Sequence, residues 1–134
     1  SSIRNRAVKE AIAREPDWVL INGGLNDVGQ KIPLDATRTA VESLVKMLLD
    51  STTAQVVVVE ATPFLTRADL NPNITKVNAM VREVAEKNHL LLVPEEEVFV
   101  KANAAGEKLY FSDPHFNLQG FTLMAEQILS ALHY

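Results

Sequence analysis

Apolar residues along this chain alternate between two rhythms, and the alternation predicts a layered fold. Ile3, Ala7, Ala11 and Ile12 recur at helical spacing and stop before Pro16-Asp17. Trp18-Val-Leu-Ile21 is a short continuous apolar run, the pattern of a parallel strand covered on both faces. It ends at Asn22-Gly23-Gly24, where glycine opens backbone angles closed to other residues. Asp35 is read as the cap of a second helix, whose Val41, Leu44, Val45 and Leu48 share one face. Gln55-Val-Val-Val-Val59 is the plainest strand, because consecutive β-branched side chains suit a doubly covered strand better than a helix. Beyond the Thr62-Pro63-Phe64 loop, Ile74, Val77, Val81, Val84 and Ala85 mark a third helix. Leu90-Leu-Leu-Val93 is a third strand. Pro94-Glu95-Glu96-Glu97 opens a looser segment that can start a short helix. A final helix begins at Asn117 and is expected to bury Phe121, Met124, Ala125, Ile128 and Leu132.

The order α-β-α-β-α-β-loop-α predicts an α/β fold with a parallel sheet, right-handed crossovers and helices on both faces. Ligands of such sheets bind beyond the carboxyl ends of the strands, where Gly24, Asn26, the Thr62-Pro63 loop and His115 all fall. Three strands make a narrow sheet for so many helices, and an open apolar edge invites aggregation. Strand-bearing sequence is therefore expected upstream of Ser1, or from another chain. The chain opens Ser1-Ser2-Ile3-Arg4-Asn5-Arg6 without a methionine, so its native N-terminus, and any export signal, is expected further upstream.

Composition narrows the partners. Residues 1–134 are enough for one domain with one core, and 47% hydrophobic with 22% charged residues is an ordinary globular balance. A net charge of −4 with no basic run argues against nucleic acid, which needs clustered Lys and Arg. The lack of cysteine excludes disulfides, thiolate metal sites and a cysteine nucleophile. No apolar run approaches the ~20 residues of a membrane span.

Two junctions offer chemistry. Asn26 follows two glycines at a strand end, so its amide can face the crevice and donate to a developing oxyanion. His115, in Asp113-Pro-His-Phe-Asn117, can serve as a general base near neutral pH, with Asp113 to set its tautomer. Each has a plainer reading when taken singly. The glycine turn can merely end a strand, Asp113 and Asn117 can be turn and N-cap residues, and His115 can bond to backbone. Only the pair, in this order, weighs toward catalysis.

The pair resembles the SGNH, or GDSL, family of serine esterases, lipases and acyltransferases. Pro16-Asp-Trp-Val-Leu-Ile-Asn-Gly-Gly-Leu-Asn-Asp27 is similar to the family's third block, and Asp113-Pro-His-Phe-Asn-Leu-Gln-Gly120 to its fifth. The resemblance covers essentially the whole chain, with the Thr62-Pro63 loop and the helix of Asn78 also in keeping. It implies a flavodoxin-like three-layer α/β/α domain, His115 and Asp113 as catalytic residues, Asn26 as the oxyanion donor, and Gly24 and Thr62 in the oxyanion and substrate loops. It further implies a small-molecule or carbohydrate ester as substrate, with no metal or organic cofactor. In two respects the chain departs from the pattern. The usual acid stands three residues before the histidine, where Ser112 is found; Asp113, two before, matches the spacing of polysaccharide O-acetyl relatives and is taken as the acid. The first block, with its Gly-Asp-Ser nucleophile, and the second, with an oxyanion glycine, are absent.

No remaining serine is assigned as a substitute. Ser43 and Ser130 sit within helices, Ser51 follows a helix end, Ser112 adjoins the base in an extended segment, and Ser1 and Ser2 lie away from any nucleophile turn. The nucleophile is thus expected outside these residues, on upstream sequence or a companion N-terminal fragment, and the chain alone is expected to be inactive. Asp27 is read as structural, and Glu95 to Glu97 as complementing a helix N-terminus or facing solvent, since no histidine has ligand spacing to them. His89 and His133 are expected to be exposed, and Trp18 to pack at a strand start. The alternatives to an acyl esterase are a carbohydrate O-acetyl esterase or acetyltransferase, and a non-catalytic α/β binding module.

Overall fold

The computed structural model describes residues 2–133, without the side chains of residues 2–5, 7 and 8; Ser1, and the side chains of Ser2 and of the expected apolar positions Ile3 and Ala7, lie outside what is described. Helix α1 (Ser2–Ala13) leads to β1 (Trp18–Asn22), a one-turn α2 (Leu25–Gly29), α3 (Leu34–Ser51) and β2 (Gln55–Val59). A 3₁₀ turn (Ala68–Leu70) then enters α4 (Asn71–Lys87), followed by β3 (Leu91–Val93) and α5 (Glu95–Ala104). The hairpin β4 (Tyr110–Ser112) and β5 (His115–Phe116) precedes α6 (Leu118–Ala131).

The three expected strands form a parallel sheet in the order β1-β2-β3, with Trp18–Asn22 in register with Gln55–Val59 and Val57–Val59 with Leu91–Val93. The valine run is its centre. Val56, Val57, Val58 and Val59 are all buried, as β-branched residues covered on both faces should be. Val19, Ile21, Val56 and Val58 pack with the faces of α3 and α4, including Val45, Leu48, Ile74, Val81 and Val84. On the other face Trp18, Val57, Val59, Leu91 and Val93 meet Ile128, Ala131 and Leu132 of α6. The layers are therefore helix, sheet, helix, and Trp18 packs as expected. A third cluster joins α5, the hairpin and α6 around Phe99 and Leu109, with the rings of Phe99 and Phe116 stacked 4.9 Å apart.

Several local expectations are corrected. Pro33, not Asp35, occupies the cap of α3, and Asp35 lies inside its first turn, where its charge still favours the helix dipole. Helix α2 and the β4–β5 hairpin are additional elements. Of the residues assigned to the buried face of α6, Phe121 is 59% exposed, with its ring edge-on to Phe116 of the hairpin at 5.5 Å, and Ala125 is also exposed; Met124, Ile128 and Leu132 pack toward the sheet and hairpin. Among the described residues strand β1 pairs on one side alone, with β2, and Leu20 on it is 42% exposed.

Candidate active site

The carboxyl end of β1 turns through Gly24, whose φ of 98° is the left-handed conformation that glycine adopts without strain. A Cβ there would lie 2.5 Å from a methyl of Val77, so backbone angle and space both call for glycine. The turn starts α2, with the Val28 amide donating to the Gly24 carbonyl at 3.0 Å. Asn26 stands exposed on that single turn, its side chain without a hydrogen bond among the described residues. Asp27 accepts a 2.9 Å hydrogen bond from the buried Thr37 hydroxyl and so ties α2 to α3. Its role is structural, as expected.

The carboxyl end of β2 is a segment, residues 60–67, fastened along nearly its whole length. The buried Asn78 carboxamide donates to the Ala61 carbonyl and accepts from the Ala61 amide, each at 2.8 Å. Asn71 grips Phe64 in the same reciprocal way, at 2.8 and 2.9 Å. The Tyr110 hydroxyl donates to the Pro63 carbonyl at 2.9 Å, and Thr62 between them is buried. Such bonds answer the requirement that buried backbone groups be paired where the strand ladder stops.

Asp113 completes the fastening. Its Oδ1 accepts from the Leu65 amide at 2.9 Å, and its Oδ2 from the Thr66 amide and hydroxyl, both at 2.8 Å, with the Arg67 amide at 3.4 Å. Burial pushes this carboxyl up, but the Leu65, Thr66 and Arg67 amides and the Thr66 hydroxyl outweigh it and hold the group below its ordinary value. The Asp113–Pro114 peptide bond is cis, and Ser112 pairs with His115 across the hairpin. His115 is exposed, with no side-chain hydrogen bond among the described residues. Hydrogen bonds therefore join Asp113 to the 65–67 loop; none joins it to His115. Asn117 caps α6, accepting from the Gly120 amide at 3.0 Å and donating to the Lys108 carbonyl at 2.7 Å.

Sequence reasoning missed the charged group behind this segment. Glu60, fully buried, accepts from Arg82 at 2.6 Å and from the Glu96 amide at 3.0 Å. Glu96 in turn accepts from Thr75, Asn78 and Arg82. Glu97 is exposed and paired with Lys101, whereas Glu95 overturns the expectation of a solvated or dipole-complementing residue. It is fully buried, neither carboxyl oxygen has a partner, and burial followed by the negative charge of Glu60 pushes it up to about 8. The available signal was position: a glutamate directly after four valines must sit at the mouth of a buried strand and needs a cation. His89 and His133 are exposed, as expected. A concavity of about 680 Å³ lies at the opposite pole, where α1 and α3 end, lined by Ile12, Glu15 and Leu49 among others, and it contains none of the expected site residues.

Among the described residues no helix is long and apolar enough to cross a membrane. No curated protein matches the chain. The fold is shared with an acetylxylan esterase from Geobacillus stearothermophilus, at a TM-score of 0.87 and 19% identity over 99% of this chain and 67% of the other. Variants of that enzyme with alanine at a serine, an aspartate or a histidine are described as catalytic mutants. An alpha/beta hydrolase from the metagenome of Lake Arreo, Spain, matches with a TM-score of 0.85 and 18% identity, over 98% of this chain and 66% of the other. At these identities the likeness is one of fold, and this chain spans about two thirds of each of those structures. Sequence decides the family, since the pattern of the GDSL-like lipase/acylhydrolase family runs through residues 2–123: the chain belongs to that family.

Proposed function

We propose that this domain belongs to a serine-dependent carboxylic ester hydrolase in which His115 is the base, Asn26 the oxyanion donor and Asp113 the acid of the triad. The reading rests on two polar side chains without hydrogen-bonding partners among the described residues, in a chain of this family. Asn26, on the one-turn helix after β1, and His115, on β5 of the hairpin, are both exposed with no side-chain hydrogen bond among the described residues, within a family of acylhydrolases. The serine comes from outside the 134 residues. Its Oγ attacks the ester carbonyl while His115 takes the hydroxyl proton, and the Asn26 amide donates to the carbonyl oxygen as it gains charge. Collapse expels the alcohol, which receives the proton from His115. Water, deprotonated by the same imidazole, then releases the acid and restores the serine.

Asp113 has room for this second duty. Its Oδ1 accepts one bond, from Leu65, and a carboxylate oxygen has two lone pairs, so one remains for an imidazole N–H. Gly24 shapes the turn that presents Asn26, and Thr62 lies within the fastened segment that follows β2, the strand next to β1. Acetyl esters of carbohydrates are the substrate class that the acetylxylan esterase fold favours, and transfer of the acetyl group would use the same residues with a sugar hydroxyl replacing water.

The test is p-nitrophenyl acetate hydrolysis by a polypeptide that includes the serine, compared with its His115→Ala variant. Removing a general base should lower the rate by about 10²–10⁴. Equal rates would eliminate His115 as the base, and no turnover by either protein would leave the reading of a non-catalytic binding module. The 134 residues alone should not turn over; ester hydrolysis by them through an active-site serine would refute the placement of the nucleophile.

A further inference from the structure

A cavity of about 280 Å³ opens between α2 and α4 and is lined in part by Val77, the residue that a Cβ at Gly24 would meet. Its floor is apolar: Val28, Leu70 and Val77 are each buried, with Leu34 and Ile32 at the edge. Its rim is polar and carries only donors of positive or neutral charge, namely Lys31, Lys76 and Asn73, and no carboxylate lines it. Neither lysine has an ion pair or hydrogen-bonding partner for its ammonium group among the described residues. In a chain of net charge −4, two unpaired ammonium groups over one apolar floor form a local reversal of sign.

We propose that this cavity binds a small carboxylate carrying a short apolar chain, with the chain on Val28, Leu70 and Val77 and the carboxylate between Lys31 and Lys76. The dimensions set the class. A cavity of about 280 Å³, open on one side, suits a small ligand of roughly eight to ten heavy atoms. The chemistry sets the charge: each lysine supplies a point positive charge with three donors, the Asn73 carboxamide adds two more, and no acidic group competes for them. A neutral body of the same size gains from the floor alone. The proposal extends beyond ester hydrolysis and does not depend on it, because it concerns binding by residues that take no part in the proposed reaction.

Hexanoate, with eight heavy atoms, is the probe, and hexanamide its uncharged equal. The 134-residue protein, labelled at its methyl groups, is titrated at pH 7 and followed by NMR. The expected result is a saturable shift at the Val28, Leu70 and Val77 methyls, with hexanamide binding at least about tenfold more weakly. Lys31→Gln and Lys76→Gln should each weaken hexanoate by about fivefold, and added salt should weaken it in the wild type, since the pairs are solvent-accessible. Both lysines are exposed, so these variants should melt with the parent, which the same samples check. Three results would each overturn the proposal: hexanamide binding as tightly as hexanoate, a double variant binding undiminished, or no saturable shift at these methyls by about 50 mM.

Discussion

At the scale of single residues, the site rests on side chains that have partners and side chains that do not. Asn26 and His115 have none among the described residues, so under the proposed function changing them should affect turnover and spare the fold. Asn26→Ala is expected to lower ester hydrolysis by about 10²–10³ with an unchanged melting temperature, read from p-nitrophenyl acetate rates and a thermal scan of the serine-bearing protein. Asn78 is the opposite case. Replacing it with alanine strands the buried amide and carbonyl of Ala61 and should cost about 2–4 kcal/mol, measured by urea denaturation. Glu95 ties stability to pH with a definite sign. Its carboxyl is raised from an ordinary 4.5 to about 8 in the fold, so the stability it contributes is complete below 4.5 and lost as pH rises toward 8. Glu95→Gln should flatten that decline, which a series of urea midpoints from pH 4 to 9 would show; an unaltered slope would mean the proton is held elsewhere. Asp113 works in the reverse direction. Its folded value is depressed, so its contribution is present above the ordinary carboxylate range and fades as acid protonates it and releases the 65–67 amides.

At the scale of elements, what the sequence made legible was what local pattern alone determines. Four β-branched residues in a row place β2 without reference to any neighbour, and the spacing of Ile74, Val77, Val81 and Val84 does the same for α4. The Asn117 cap was readable because its carboxamide bonds to an amide three residues on. Features that escaped depend on distant partners. The burial of Glu95 follows from packing by α5 beside Glu60, and the exposure of Phe121 from the direction in which α6 crosses the sheet. The candidate site divides along the same line. The turn of Gly24 is local and was anticipated, whereas the Asp113 carboxylate bonds residues 46 to 48 positions away, a separation that no spacing rule reaches. Asp113→Ala should accordingly loosen an element besides any effect on catalysis: faster hydrogen exchange at the Leu65 and Thr66 amides is expected, with exchange at Ala61, held by Asn78, unaltered.

At the scale of the whole molecule, the sheet ends at β1 with one side of its ladder unpaired and Leu20 partly exposed, while α6 presents Leu118, Phe121 and Leu129 to solvent. Apolar surface beside a free strand edge favours self-association. The 134-residue protein is expected to associate with rising concentration, and Leu20→Lys to reduce this, as sedimentation velocity would report; identical profiles would place the contact elsewhere. The segment at residues 60–67 has a different consequence. Asn78, Tyr110, Asn71 and Asp113 pin it before any ligand arrives, so it is a preorganised wall and not a closing flap. Under the proposed function, chemically distinct substrates should meet the same rigid contour there, and their affinities should differ by fit and desolvation, with no entropic penalty for ordering that stretch of backbone.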